Sequence, residues 1–145
     1  MPHNVLPLST SLGYQIRTTH RYFQRYLQLK IEPHGVTLGM WYFLRVLWQQ
    51  DGLTQRELSQ RVGTMEPTTL TALRSMERKG FIRRERNTED NRKVNIYLTP
   101  EGSALKDELL PLAKQVVDDA AKGISAQDKK KLLKLLTVMQ RNLTD

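Results

Sequence analysis

Between Pro67 and Ser75 the chain carries Thr68, Thr69, Thr71, Arg74 and Ser75 with no carboxylate among them. Small hydroxyls bond phosphates or base edges and a guanidinium bonds guanine through two donors, which is the chemistry of a DNA major groove. The same residue types also make an ordinary solvated helix face. A second constellation is Asp90 and Arg92, two residues apart in a stretch of turn formers. An arginine at a hairpin tip can reach into a narrow minor groove while a nearby carboxylate holds it extended through a charge-assisted bond. Without a neighbouring DNA-reading element, the two would be plain solvated charges. Acid–base and nucleophilic chemistry have no comparable arrangement: there is no cysteine, and His3, His20 and His34 are scattered. No G-x-S-x-G, H-E-x-x-H, Walker or G-x-G-x-x-G motif occurs, so no enzyme, cofactor or metal is expected. The lack of cysteine also excludes disulfides and thiol redox switching.

The elements that must position these groups are legible on either side of them. Thr54 and Glu57 stand in S/T-x-x-E spacing, which predicts a capped helix start; Leu58 and Val62 share a face, and Gly63 supplies a left-handed exit. Pro67 suits the first turn of a second helix, where a missing amide is harmless. Leu70, Leu73 and Met76 then recur until Gly80, which puts Thr68, Thr69, Thr71, Arg74 and Ser75 on the opposite face. Two short helices and a tight turn predict a helix-turn-helix. Phe81 to Arg86 and Lys93 to Leu98 both alternate apolar with polar around a polar tip, Asn87 to Arg92, which predicts a β-hairpin. The fold class expected is mainly α with a small β-hairpin wing.

From Thr54 to Gly102 the chain resembles the DNA-binding lobe of the MarR family of bacterial transcriptional regulators. The matching pieces are Leu53-Thr54 with Glu57-Leu58, Pro67, Met76-Glu77-Arg78-Lys79-Gly80-Phe81-Ile82, Asp90-Asn91-Arg92 and Leu98-Thr99-Pro100-Glu101-Gly102. Asn91 interrupts the basic pair that often follows the wing aspartate, leaving Asp90-x-Arg92-Lys93. The resemblance implies a winged helix-turn-helix lobe over about 37–100 and dimerisation helices over about 8–30 and 101–145. It also implies a homodimeric repressor of a palindromic duplex, released by a small effector. Wing contacts would then come from Arg84, Arg86, Asp90, Arg92 and Lys93. A protein-interaction module built on the same fold, or an architectural DNA binder without an effector, are the alternatives.

The remaining sequence fits one domain of ordinary size. Net charge is +8, and the excess lies in the first two thirds: residues 1–50 carry five Lys/Arg and one acid, residues 54–93 ten and six, residues 94–145 eight and seven. Positive charge alone draws nucleic acid, acidic protein or anionic membrane, so the motif decides among them. No leader pattern or apolar run of membrane-spanning length occurs, which predicts a cytoplasmic protein.

After a frayed tail at Met1 to Pro7, a helix is expected from Leu8 to Leu27, capped near Ser9 or Thr10, and then a loop from Lys30 to Val36. Arg17, Arg21 and Arg25 form a basic row on that helix, most simply a solvated stripe. A second helix from Thr37 to Gln50 is apolar nearly all round. In proteins similar to this one a ligand pocket forms against these two helices, so an aromatic carboxylate is expected among Tyr14, Arg17, His20, Arg21, Trp41, Tyr42 and Arg45. The competing expectation is plain core and surface. Pro100 opens a long helix to about Lys122 with a bend near Pro111, and a last helix follows Ser125. Leu12, Ile16, Leu132, Leu136 and Met139 belong to more apolar surface than one lobe can bury, which predicts a dimer built from both chain ends.

Overall fold

The computed structural model describes residues 7–144. His3 and all of the expected N-terminal tail except Pro7 lie outside them. The order is α1 (Leu12–Ile31), α2 (Leu38–Gln49), α3 (Gln55–Val62), α4 (Glu66–Arg78), β1 (Ile82–Arg86), β2 (Val94–Leu98), α5 (Pro100–Ala120) and α6 (Ala126–Leu143). This is the mainly helical, hairpin-winged architecture expected.

α1 differs from the expected helix at both ends. Leu8–Thr10 is a separate 3-10 turn, and Ser11 is the cap, its hydroxyl accepting from the Tyr14 amide at 3.4 Å. The helix continues past Leu27 because Ile31 prolongs its apolar face and is fully buried. Most of the expected loop is therefore helix end plus a Glu32–His34 turn, and Pro33 sits near the start of that turn, where its missing amide is harmless.

The core is assembled around α2. Met40, Trp41, Phe43, Leu44 and Leu47 are all buried there, and α3, α4, β2 and α5 pack against them. From α4 come Leu73 and Met76, from the hairpin Ile82 and Ile96, and from α5 Leu105 and Leu109. Burying such side chains contributes about 1.5–3 kcal/mol each, so this single cluster fixes how the two short helices meet the hairpin.

β1 and β2 are antiparallel, with Ile82 opposite Leu98, Arg84 opposite Ile96 and Arg86 opposite Val94. A short third edge, not anticipated from sequence, joins β2: the Gly52 amide donates to the Ile96 carbonyl (2.9 Å) and the Ile96 amide to the Leu53 carbonyl (2.8 Å). The hairpin is thereby stitched to the residues that open α3.

Thr99 joins the hairpin to α5. Its hydroxyl accepts from the Gly102 amide at 3.1 Å and donates to the Gly80 carbonyl, while its amide donates to the Phe81 carbonyl at 3.0 Å. Trp48 Nε1 donates to the Gly102 carbonyl at 2.9 Å. α5 runs unbroken through Pro111 and stops at Ala120, two residues before the expected end. α6, capped by Ser125 (Asp128 amide to hydroxyl, 3.0 Å), has no buried residue at all.

Candidate nucleic-acid interface

α3 is held by a complete capping box. The Thr54 hydroxyl accepts from the Glu57 amide (3.1 Å) and the Glu57 carboxylate accepts from the Thr54 amide (3.0 Å). The Thr54 amide first, and the Thr54 hydroxyl second, hold the Glu57 carboxyl below its ordinary range. Gly63 leaves the helix at φ 76°, a conformation that strains a side-chain-bearing residue. α4 then starts at Glu66, one residue before Pro67.

Thr68, Thr71 and Arg74 are exposed on α4 and Ser75 is half-buried. Arg74 has no hydrogen bond or ion pair to another described residue, whereas Arg78 donates to the Ser75 hydroxyl at 3.1 Å. Thr71 donates back to the Pro67 carbonyl (3.1 Å), which leaves its lone pairs free to accept. Thr69 corrects the expected outer face. It is fully buried, accepts from the Ser59 hydroxyl at 2.7 Å and donates to the Met65 carbonyl at 3.2 Å. The inward face is Thr69, Leu73 and Met76, while Leu70 is half-exposed. Thr69 therefore locks α3 onto α4 and cannot contact a groove.

The wing tip is built by its own side chains. Asn87 Oδ1 accepts from the amides of Glu89 and Asp90, both at 2.9 Å. Asn87 Nδ2 donates to Asn95 Oδ1 (2.9 Å), and Asn95 Nδ2 donates to the Gly52 carbonyl (2.8 Å). Asp90 grips Arg92 as a fork, Nε to Oδ1 at 3.1 Å and an Nη to Oδ2 at 3.2 Å, and also accepts the Arg92 amide at 3.1 Å. The guanidinium and that amide hold the Asp90 carboxyl below its ordinary range. A depressed carboxyl keeps its partner above its unfolded value and loses it only as pH falls through the folded one, so the pair is intact near neutrality. The Arg92 side chain is 87% exposed even while gripped. Two expected wing cations are engaged in other ways: Arg84 pairs with Glu77 at 3.2 Å, and Arg86 donates to the Asn91 carbonyl at 2.9 Å. Lys93 is exposed.

A polar cleft of about 610 Å³ separates the wing from the helix-turn-helix. Arg56 and Gln60 of α3 and Glu66 of α4 border it on one side, Asp90, Arg92 and Lys93 on the other. Arg56 was not expected in the site. Its only sequence signal is its place in the first turn of α3, since nothing local says that the wing folds back opposite it.

The sequence pattern of the MarR family matches residues 36–94, the span that holds α2, α3, α4, β1 and the wing tip and ends at the first residue of β2. A transcriptional regulator of Methylorubrum extorquens named TtmR is 28% identical over 94% of this chain and 69% of its own length. A MarR transcriptional regulator from Methanosarcina mazei superposes with a TM-score of 0.85 at 27% identity, covering 90% of this chain and 94% of that one. Residues 36–94 are a MarR-family domain. The chain also superposes on S. aureus MepR in a complex with DNA, with a TM-score of 0.85 at 26% identity over 92% of this chain and 99% of that one. These relatives are transcriptional regulators rather than enzymes. No group of metal-ligating side chains occurs among the described residues, and no described helix is long and apolar enough to cross a membrane.

Around the MarR-family domain, the expected effector residues are not gathered into one recess. Trp41 is 2% exposed and meets Trp48 edge to face at 5.9 Å, so it is a core residue and not a pocket wall. Arg45 lies 5.9 Å from the Trp41 ring, and Tyr14, Arg17, His20, Arg21 and Tyr42 are exposed. The recess that does form lies one helix face round. It is a cleft of about 350 Å³ between α1 and α5, lined by Tyr22, Phe23, Tyr26, Val116 and Asp119, with Thr19 and Ala120. Tyr26 donates to Asp119 at 3.1 Å on its rim, and that bond raises the tyrosine's pKa. Of the expected dimer residues, Leu12, Ile16 and Leu132 are exposed at 66%, 45% and 50%, and Leu136 and Met139 are half-exposed.

Proposed function

We propose that this MarR-family transcriptional regulator binds double-stranded DNA as a homodimer, with α4 in the major groove and the wing along the adjoining minor groove. The observation that carries this is the cleft at which the start of α4, the first turn of α3 and the wing tip meet. It gathers Arg56, Arg92 and Lys93 around one solvent-open recess, and cations so grouped suit the phosphates of a strand passing between two grooves. The related MepR has been solved in a complex with DNA, which supports DNA binding as the function. Two-fold pairing would match a palindromic site, and the chain would act as a repressor.

The wing tests this directly. Arg92→Ala should weaken binding to a selected duplex and flatten the slope of log affinity against log salt by about one unit, the signature of a lost phosphate contact. Asp90→Ala should also weaken binding although it removes a negative charge, because Arg92 then loses its brace. Fluorescence anisotropy across a salt series measures both. Tighter binding by Asp90→Ala would exclude the positioning role, and salt-independent binding by the parent would exclude the DNA function.

α6 supports the dimer. A helix with Leu132, Leu133, Leu135 and Val138 all exposed cannot be stable on its own in water. We expect a dimer at micromolar concentration, and we expect Leu132→Glu combined with Leu136→Glu to dissociate it. Sedimentation that finds a folded monomer throughout that range would overturn this. An effector would act by linkage, favouring one spacing of the two reading heads, and the recess between α1 and α5 has the size to take it.

A further inference from the structure

We infer that Glu66 reads a base: its carboxylate accepts from the N4 amine of a cytosine, so the preferred duplex carries a C·G pair opposite the start of α4. This rests on the DNA-binding function proposed above. The carboxylates nearby are mostly engaged. Glu57 closes the α3 cap, Glu77 holds Arg84, Glu85 holds Arg83, and Asp90 holds Arg92. Glu66 is exposed and takes no hydrogen bond or ion pair from another described residue. It opens α4 and borders the cleft shared with the wing, at the helix end that approaches base edges in this kind of docking.

An unpaired carboxylate there repels the phosphates of every sequence alike, which lowers affinity unless a specific donor meets it. In the major groove such donors are the amines of cytosine and adenine. Adenine sets its amine beside N7, an acceptor that repels the second carboxylate oxygen, whereas cytosine presents the amine alone. The residue next to Glu66 points the same way. Met65 is 75% exposed and is the one exposed large hydrophobic between Leu53 and Leu98. A thioether gains nothing at a phosphate, but it can pack on the apolar C5 side of pyrimidines. A first-turn acid also favours the helix dipole, but that role carries no base preference and so cannot produce the result below.

The test is selection of bound duplexes from a random pool by the intact protein, in parallel with Glu66→Gln and Glu66→Ala, followed by binding to the selected site with each base pair at the implicated position. The parent should enrich a motif with a C·G pair that both variants cease to prefer, and discrimination there should fall by about tenfold or more. Glu66→Ala should at the same time bind random DNA more tightly. A parent motif retained unchanged by both variants would overturn the role of Glu66 and leave the DNA function standing. No motif from the parent would instead remove the DNA function on which the inference rests.

Discussion

Gly102→Ala is expected to cost the fold about 3 kcal/mol, the upper range for forcing one methyl into filled space. Gly102 lies in the first turn of α5, where a Cβ would overlap the Phe81 carbonyl oxygen and also press on Leu98. Neither can yield cheaply. The Phe81 carbonyl accepts the Thr99 amide, so moving it breaks the junction between hairpin and helix, while shifting Gly102 instead draws its carbonyl away from Trp48. Urea unfolding should show a lower midpoint with little change in slope, and the thermal midpoint should drop by roughly 10 °C. Gly13→Ala is the counterpart. It adds a methyl where nothing lies within 4 Å, in a helix that favours alanine by about 1 kcal/mol, and should be neutral or stabilising. Equal stability of the two variants would mean that α5 does not dock on Phe81 as described.

The second large effect is expected at Arg74. Its guanidinium is exposed and unengaged, whereas Arg78, Arg84, Arg86 and Arg92 all have protein partners. Arg74→Ala should therefore remove about 1–3 kcal/mol of binding to the selected duplex and much less to random DNA. Electrophoretic or anisotropy titrations against both duplexes give the ratio. An equal loss on both would make Arg74 a phosphate contact and move base reading to Thr68 and Thr71.

What was legible in the sequence is what short-range chemistry dictates. The Thr54–Glu57 box, the Gly63 exit, the two alternating strands and the Asp90–Arg92 pair each involve residues within a few positions of one another, and each was found where spacing placed it. Thr69 was misplaced for a specific reason. Leu70, Leu73 and Met76 repeat every three residues, which drifts round a helix of 3.6 residues per turn, and the true inward row is Thr69, Leu73 and Met76. A threonine looks polar in sequence; only the Ser59 hydroxyl, ten positions away, makes it a core residue. Trp41 took the core place that the sequence had left open beside the pocket, since its burial and its edge-to-face contact with Trp48 are decided by tertiary packing. The edge at Gly52–Leu53 and the place of Arg56 beside the wing were invisible because they depend on partners some forty residues distant.

The amide chain from Asn87 through Asn95 to Gly52 has a kinetic consequence. A free six-residue tip would have to be ordered on contact, at roughly 1–2 kcal/mol per residue in conformational entropy. Here the tip is already ordered and anchored to the loop that opens α3, so an encounter with DNA does not have to wait for it to fold. Cutting that anchor, as in Asn95→Ala, would slow association before it shortened the lifetime of the complex. On the proposed mode of binding the wing would act as a fixed probe, its search along a duplex limited by diffusion and charge, not by its own folding.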